Sequence, residues 1–521
     1  MNWPAAIANS LWVGSSWPDA RVYRRALGQP GEVQRKLLQM MIVRDADTTF
    51  GRAHHFREIN GYDNFIRRVP LGTYEAFQPW IDRIRSGESR VLTSEMVTHL
   101  IPTSGTTAGR KLIPFTAGLQ RQFDRAVGPW MSDLVRQRPR VLAGPAYWSI
   151  TPAVANAERE TSVVPIGFAD DASYLGGLKS WLVRAVMAVP KEVGSGGDLE
   201  NFQYQTLLHL LRRRDLRLIS VWHPSFLTLL LDALPGHWER LISELFRESK
   251  PRARELATAG PQDAEAIWPH LQGISCWGDG QAEVALAALR RRFSRVPIQP
   301  KGLLATEAVV TLPFAGSHPL AIRSHFFEFI DEAGQVHLAD QLQLGGTYEV
   351  VVTTAGGLWR YRLQDCVRVT GFIEKTPTLI FLGRSGGVSD LFGEKLSEAF
   401  VAECVNEVLR GSVRPSSFAM LAPDQAGGGW GYTLFLEGQA PEGAVGLLDR
   451  ALRRNPHYAY CRDLGQLQPV RLFLIADRAY ETFVSLLNRE GSRIGDIKPA
   501  VLSRITVWSS TFSGGYNLQG R

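Results

Sequence analysis

Four cysteines in 521 residues leave little room for a disulfide framework or a structural zinc site. Cys276, Cys366, Cys404 and Cys461 are widely scattered and form no Cys-x-x-Cys pair. They read as buried thiols in a reducing compartment. Long apolar runs are missing too: stretches such as Phe226 to Leu231 fall far short of the roughly 20 residues that cross a bilayer. Met1 to Trp17 has no basic n-region ahead of its modest apolar segment. These absences predict a cytoplasmic protein with no membrane span.

A basic tail, zinc-finger spacing and an aromatic-interleaved basic strand are also lacking, although Lys and Arg (58) outnumber Asp and Glu (51) for a net charge of +7. The densest basic clusters, Arg212-Arg213-Arg214 and Arg290-Arg291-Arg292, each follow a helical apolar pattern. Cations favour that end of a helix, so the clusters read as solvated helix ends and no nucleic-acid partner is expected. The excess favours small anionic substrates instead. With 45% hydrophobic and 21% charged residues, the chain can bury sizeable cores and divide into more than one folding unit.

What the sequence does have is Thr103-Ser104-Gly105-Thr106-Thr107-Ala108-Gly109-Arg110-Lys111. Glycines let backbone N–H groups approach phosphate oxygens, hydroxyls add donors, and a Lys supplies a compact charge. The stretch departs from Gly-x-x-x-x-Gly-Lys-Ser/Thr, so it is not a Walker A loop, yet it points to ATP. By itself such a run also suits a solvated loop. Two further segments, Gly302-Leu303-Leu304-Ala305-Thr306-Glu307 and Tyr361-Arg362-Leu363-Gln364-Asp365, follow in the order and at about the separations of an adenylate-forming enzyme.

Within that superfamily the chain resembles the acyl acid amido synthetases of the auxin-responsive Gretchen Hagen family, in a bacterial-type form. The likeness covers nearly the whole chain. It rests on Thr103 to Pro114, Lys301 to Pro313, Ser324 to Phe329, and Tyr361 to Phe372. Leu303 stands where plant members carry a Tyr, the phosphate loop is one residue shorter, and Gln364 replaces an expected Gly. The resemblance implies an α/β fold: a large adenylate-forming domain of the firefly-luciferase type, with β-sheets and helices, and a smaller α+β lid.

The resemblance also implies roles. Thr103, Ser104, Gly105, Thr106, Thr107 and Lys111 would surround the phosphates of ATP, and Glu307 would hold Mg²⁺. Thr306 would sit near the AMP phosphate. Asp365 would grip the ribose from a domain surface, one carboxylate accepting from both vicinal hydroxyls, with Arg384 as a further ribose contact. Lys498, late in the chain, would bridge the attacking carboxylate and the α-phosphate when the lid closes. The implied reaction adenylates a carboxylic acid with release of pyrophosphate and passes the acyl group to an amine, an amino acid. The alternatives are transfer to coenzyme A or a carrier thiol, and a nucleotide-binding protein without catalysis. His223 and His325 are candidate bases for aminolysis, and the Trp148 and Trp222 regions candidate walls of the acyl pocket. The acid, the amine and the oligomeric state, which includes a monomer, stay open.

Periodicity predicts helices over Glu32 to Arg44, Thr73 to Ile84, Leu207 to Leu211, Pro224 to Leu234 and Ala282 to Phe293, alternating with strands at Leu216 to Trp222 and Val296 to Leu304. Strands are then expected at Ala321 to Ile330, Gly346 to Thr353, Asp365 to Phe372 and Thr378 to Leu382. The domain division is placed as 1–383 for the large unit, 384–387 for a glycine-rich hinge and 388–521 for the lid.

Overall fold

A computed structural model describes residues 2–103, 111–148, 162–167, 182, 185–190, 192–193, 199–279, 282–384, 388–389, 391–392, 394–409, 418–426, 429–489, 497 and 500–517. The N-terminal stretch that read only as modestly apolar forms the helix Trp3–Ala26, capped by the Asn2 side chain, which accepts from Ala5 N at 3.1 Å. Ala5, Ala8 and Trp12 on this helix join a small core with Leu134, Ala146 and Leu218. The helix is thus part of the fold. No helix among the described residues is long and apolar enough to cross a membrane.

Two short strands, β1 (His99–Pro102) and β2 (Leu112–Phe115), pair antiparallel, with Pro102 opposite Leu112. They form the stem of the Ser104 to Arg110 loop, closed by Thr103 N donating to Lys111 O at 2.9 Å. The loop itself lies outside the described residues.

Next comes a parallel sheet in sequential order: β3 (Ala146–Trp148), β4 (Leu218–Ser220), β5 (Gly273–Trp277) and β6 (Ile298–Lys301). The helices Leu199–Arg212, Pro224–Glu248 and Ala282–Arg292 form the crossovers. Parallel strands need such connections, and β5 is buried along its whole length, as a sheet covered on both faces requires. Arg212, Arg213 and Arg214 follow the first crossover and pair with Glu248, Asp215 and Glu255.

The chain then builds an antiparallel sheet from β7 (Phe326–Ile330), β8 (Val336–Leu338), β9 (Thr347–Thr353), β10 (Tyr361–Ile373) and β11 (Thr376–Arg384), in the order β11-β10-β9-β7-β8. The expected strand from Ala321 shortens to Phe326–Ile330. The buried Gln34 side chain takes over the backbone there: Nε2 donates to Ile322 O and His325 O at 2.6 and 2.8 Å, and Oε1 accepts from Phe327 N at 2.7 Å. A side chain 290 residues away in sequence replaces the ladder, which no local pattern reveals.

Beyond β11 lie the two-residue strands β12 (Val388–Ser389) and β13 (Leu396–Ser397), then β14 (Phe418–Ala426), β15 (Gly429–Glu437), β16 (Gln468–Ile475) and β17 (Gly514–Tyr516). The last four form one sheet in sequence order, with β15 and β16 parallel. The helices Glu398–Leu409, Ala444–Leu452, Pro456–Asp463 and Ala479–Arg489 accompany it. Apolar packing divides along the chain: the main core runs from Tyr23 to Leu379, while two further cores draw only on residues from Leu396 to Phe512. Arg368 and Glu403 approach each other across that division at 3.6 Å.

Candidate active site

Thr306 and Glu307 occupy the tip of a tight turn in which Ala305 N donates to Ala308 O at 2.9 Å. Its arms are tied by the Leu304–Val309 bridge and by Leu303 N donating to Thr311 Oγ1 at 2.7 Å. Gly302 is required beneath the turn, because a Cβ there would lie 2.4 Å from Thr311 O. Leu303, where plant members carry Tyr, is buried in the main core. The turn holds Glu307 largely out of water. Burial pushes its pKa up, opposed by the Arg384 and Lys111 charges and reinforced by Asp365.

Asp365 and Arg384 face each other directly across the β10–β11 ladder, with Arg384 Nε 3.2 Å from Asp365 Oδ1. Asp365 projects from a bulge. Arg362 pairs with Val351 and Cys366 with Glu349, so Leu363, Gln364 and Asp365 stand against Val350 alone. Gln364 adopts φ +62° at the centre of this bulge, the left-handed conformation that a Gly would take without strain. The turn geometry survives the replacement, at a backbone cost. Asp365 is not at an open surface as expected: it is 4% exposed, while the Arg384 side chain is about half exposed at 51%. Asp365 raises the Arg384 pKa further, and Glu307 adds to the effect.

Lys111, at the exit of the phosphate-loop stem, lies over the Tyr74 ring at 5.7 Å. The Tyr74 hydroxyl accepts from Leu112 N at 2.8 Å, so one side chain both orients the ammonium and fixes its strand. Tyr361, the first residue of β10, is buried beside the cluster, and the Glu307 charge adds to the burial that pushes its phenol up. Tyr361 opens the motif that carries Asp365, whereas Tyr74 reads in the sequence as an ordinary apolar helix position. Thr103, Lys111, Thr306, Glu307, Asp365 and Arg384 thus come from three separate stretches of chain, and four of their charges lie within electrostatic reach of one another. Ser104, Gly105, Thr106, Thr107, the hinge glycines and Lys498 lie outside the described residues.

The segment carrying Lys498 does have a described neighbour. The Tyr480 hydroxyl donates to Ile497 O at 3.1 Å. It also meets the Ser225 hydroxyl of the large unit, and burial pushes its pKa up to about 12. Of the two candidate bases, His223 caps the helix Pro224–Glu248, its Nδ1 accepting from Ser225 N at 3.2 Å. His325 is fully buried beside Phe123 and Phe327, and burial drives its pKa down to about 3. Enclosure keeps an amine from reaching it and burial weakens its basicity, both of which argue against a role as base for aminolysis.

Sequence models of the GH3 family match the chain in three stretches: the N-terminal domain over 20–298, the central domain over 318–384 and the C-terminal domain over 397–506. Probable indole-3-acetic acid-amido synthetase GH3.12 of Oryza sativa subsp. japonica is 24% identical, the match covering 91% of this chain and 92% of that protein. Indole-3-acetic acid-amido synthetase GH3.2 of Arabidopsis thaliana is 23% identical over 73% of this chain and 79% of its own. The solved structure of AtGH3.15 acyl acid amido synthetase in complex with 2,4-DB superposes with a TM-score of 0.84 at 19% identity, covering 97% and 98% of the two chains. The mixed α/β architecture is therefore shared with that synthetase from end to end. Matched by all three domain models over most of its length, the chain belongs to the GH3 family, to which its phosphate-loop, Thr-Glu and Asp motifs had pointed.

Proposed function

We propose that this protein is an ATP-dependent acyl acid amido synthetase, which converts a carboxylic acid and ATP to acyl-AMP and pyrophosphate and then transfers the acyl group to an amine, an amino acid. The observation that carries this reading is the convergence of Glu307, Asp365, Arg384 and Lys111 from turn, bulge, strand end and loop stem. A carboxylate resists amines because it repels nucleophiles and offers no good leaving group. Activation as a mixed anhydride removes both obstacles, and the protein's task is to position phosphates and balance their charge.

In this reading the ribose hydroxyls donate to Asp365, and Arg384 aims that carboxylate. Lys111 and the loop from Thr103 to Thr107 take the phosphates, with Thr306 near the α-phosphate. Glu307 fits a magnesium ion: it is a desolvated carboxylate whose charge only a cation would offset in full, and Mg²⁺ needs only one or two protein carboxylates beside phosphate oxygens. The ion would neutralise phosphate charge.

Residues 388–521 act as the lid that carries Lys498, hinged at 384–387 from a large unit of 1–383. The separation of apolar cores on either side of Leu379 and Leu396 supports this division, and Tyr480 holds the Lys498 segment through Ile497. Four free thiols suit a cytoplasmic site of action. Acid-dependent ATP–pyrophosphate exchange tests the first half-reaction, and supplying amino acids against coenzyme A tests the second. Faster transfer to coenzyme A than to any amine would overturn the amide-forming step.

A further inference from the structure

The parallel sheet carries a second polar cluster, away from the charges at Glu307 and Asp365. Register sets Trp148 of β3, Ser220 of β4, Ser275 of β5 and Gln299 of β6 in one row on one face, and Lys301, two residues beyond Gln299, shares that face. Trp148, Ser220 and Lys301 end their strands, on the side where open α/β sheets bind their ligands. Lys301 Nζ donates to Ser220 Oγ at 2.9 Å and lies 4.9 Å from the Trp222 ring and 5.9 Å from the Trp130 ring. Trp130 is aimed by its own Nε1, which donates to Gln299 Oε1 at 2.8 Å. Trp148 packs edge-on against Trp12 and Trp130, at 5.8 and 6.3 Å.

Two donors in this cradle have no acceptor: the hydroxyl of Ser275, a residue only 1% exposed, and the buried Nε1 of Trp148. Folded chains rarely leave such groups unsatisfied without a reason. A ligand with paired anionic oxygens supplies what is missing, since one carboxylate offers about four lone-pair sites to hydroxyl, indole and ammonium donors together. Indole faces beside an ammonium favour the cation. Along the chain, Lys301 is five residues from Thr306, so at about 3.3 Å per residue the cradle lies within roughly 17 Å of the adenylation side. That figure is an upper limit, and a diacid shorter than it reaches from one side to the other wherever the chain between them is not fully extended.

We propose that the cradle of Lys301, Ser220, Ser275, Trp130, Trp148 and Trp222 binds a second carboxylate, at the end of the acyl acid remote from the reacting one. The substrate class is then a dicarboxylic acid, activated at one end and held at the other. This rests on the adenylating function, and the test keeps the two apart. ATP–pyrophosphate exchange is measured with matched acids, hexanoate against adipate and phenylacetate against (4-carboxyphenyl)acetate, while binding of the same acids without ATP is followed by quenching of tryptophan fluorescence.

The diacid of each pair is expected to be preferred at least tenfold in kcat/KM. Lys301→Met should abolish that preference through KM, Lys301→Arg should restore part of it, and Ser275→Ala should weaken it severalfold. Monoacids exchanged as well as or better than diacids by the wild-type protein would overturn the cradle and leave adenylation standing. Diacid quenching without any exchange, lost in Lys301→Met, would uphold the cradle and overturn adenylation. Neither exchange nor quenching with any of the four acids would overturn both.

Discussion

The cluster around Glu307 and the cradle around Lys301 solve opposite electrostatic problems a few residues apart. In the first, charges of both signs are brought together and offset one another before any ligand arrives: Asp365 with Arg384, Glu307 with Arg384 and Lys111. In the second, an ammonium is held by a hydroxyl and two indole faces, with two further donors waiting for an acceptor. The first arrangement suits a nucleotide, whose many charges must be matched by a site that also lets the product go. The second suits one localised anion that selects the substrate. Removing a residue from the first therefore exposes a partner of opposite charge, whereas removing Ser275 from the second takes away a donor that has no acceptor.

The largest effect is expected at Lys498, the charge that the proposed lid would bring to the nucleotide. Lys498→Ala should lower acid-dependent pyrophosphate exchange by about two or more orders of magnitude, a plausible loss for one preorganised charge. The same variant should still form amide from synthetic acyl-adenylate, because aminolysis expels AMP, already a good leaving group. Equal loss of both half-reactions in a folded variant would refute the lid-borne role. A smaller effect is expected at Asp365. Asp365→Ala frees Arg384, which is half exposed and turns to water, so the fold should hold while ATP binding weakens. Two lost bonds to a charged acceptor are worth about 3 kcal/mol, roughly a hundredfold in Kd by titration.

These two sites also differ in how far the sequence discloses them. Thr306-Glu307 and Asp365 sit in short contiguous motifs, because a turn tip and a bulge need particular residues at adjacent positions. Parts of all three crossover helices and the strands β4 and β6 were legible too, since burial on one face imposes a period, whereas the short strands β3 and β5 were not expected. The cradle is different. Trp148, Ser220, Ser275 and Lys301 are spread over some 150 residues and meet only through parallel register. Aromatic content drew attention to the Trp148 and Trp222 regions, but nothing gave Lys301 and Ser275 a role. Tyr74 and Tyr480 were illegible for a related reason: each acts on a backbone group distant in sequence, Leu112 N or Ile497 O, and nothing local marks it.

Stability measurements sharpen the contrast further. Glu307 sits in a desolvated turn, and burial raises its pKa. In the window above the ordinary carboxylate range and below that raised value, the folded chain keeps a proton that the unfolded chain has lost. Stability then falls as pH rises through the window, the reverse of a salt-bridged acid. Glu307→Gln should accordingly stabilise the nucleotide-free protein at neutral pH by on the order of 1 kcal/mol, a degree or two in Tm, and the gain should vanish below the ordinary carboxylate range. A variant less stable than the parent at neutral pH would show that Arg384 and Lys111 already compensate the carboxylate in full.

The smallest effect concerns the backbone that aims Asp365. Gln364 stands at φ +62° in the bulge between Arg362 and Cys366, a conformation that costs a side chain bearing a Cβ about 1 kcal/mol. Gly adopts it freely, but Gly also gains freedom in the unfolded chain, which returns part of the benefit. Gln364→Gly should thus raise stability by at most about 1 kcal/mol, read as a higher urea midpoint with an unchanged slope. Gln364→Ala keeps the Cβ and should give no such gain, which separates relief of backbone strain from loss of the amide side chain. If Ala and Gly raise the midpoint equally, the strain does not reside in the backbone at 364. If Gly lowers it, the Gln side chain itself holds the bulge, and the aim of Asp365 at Arg384 depends on a contact instead of a conformation.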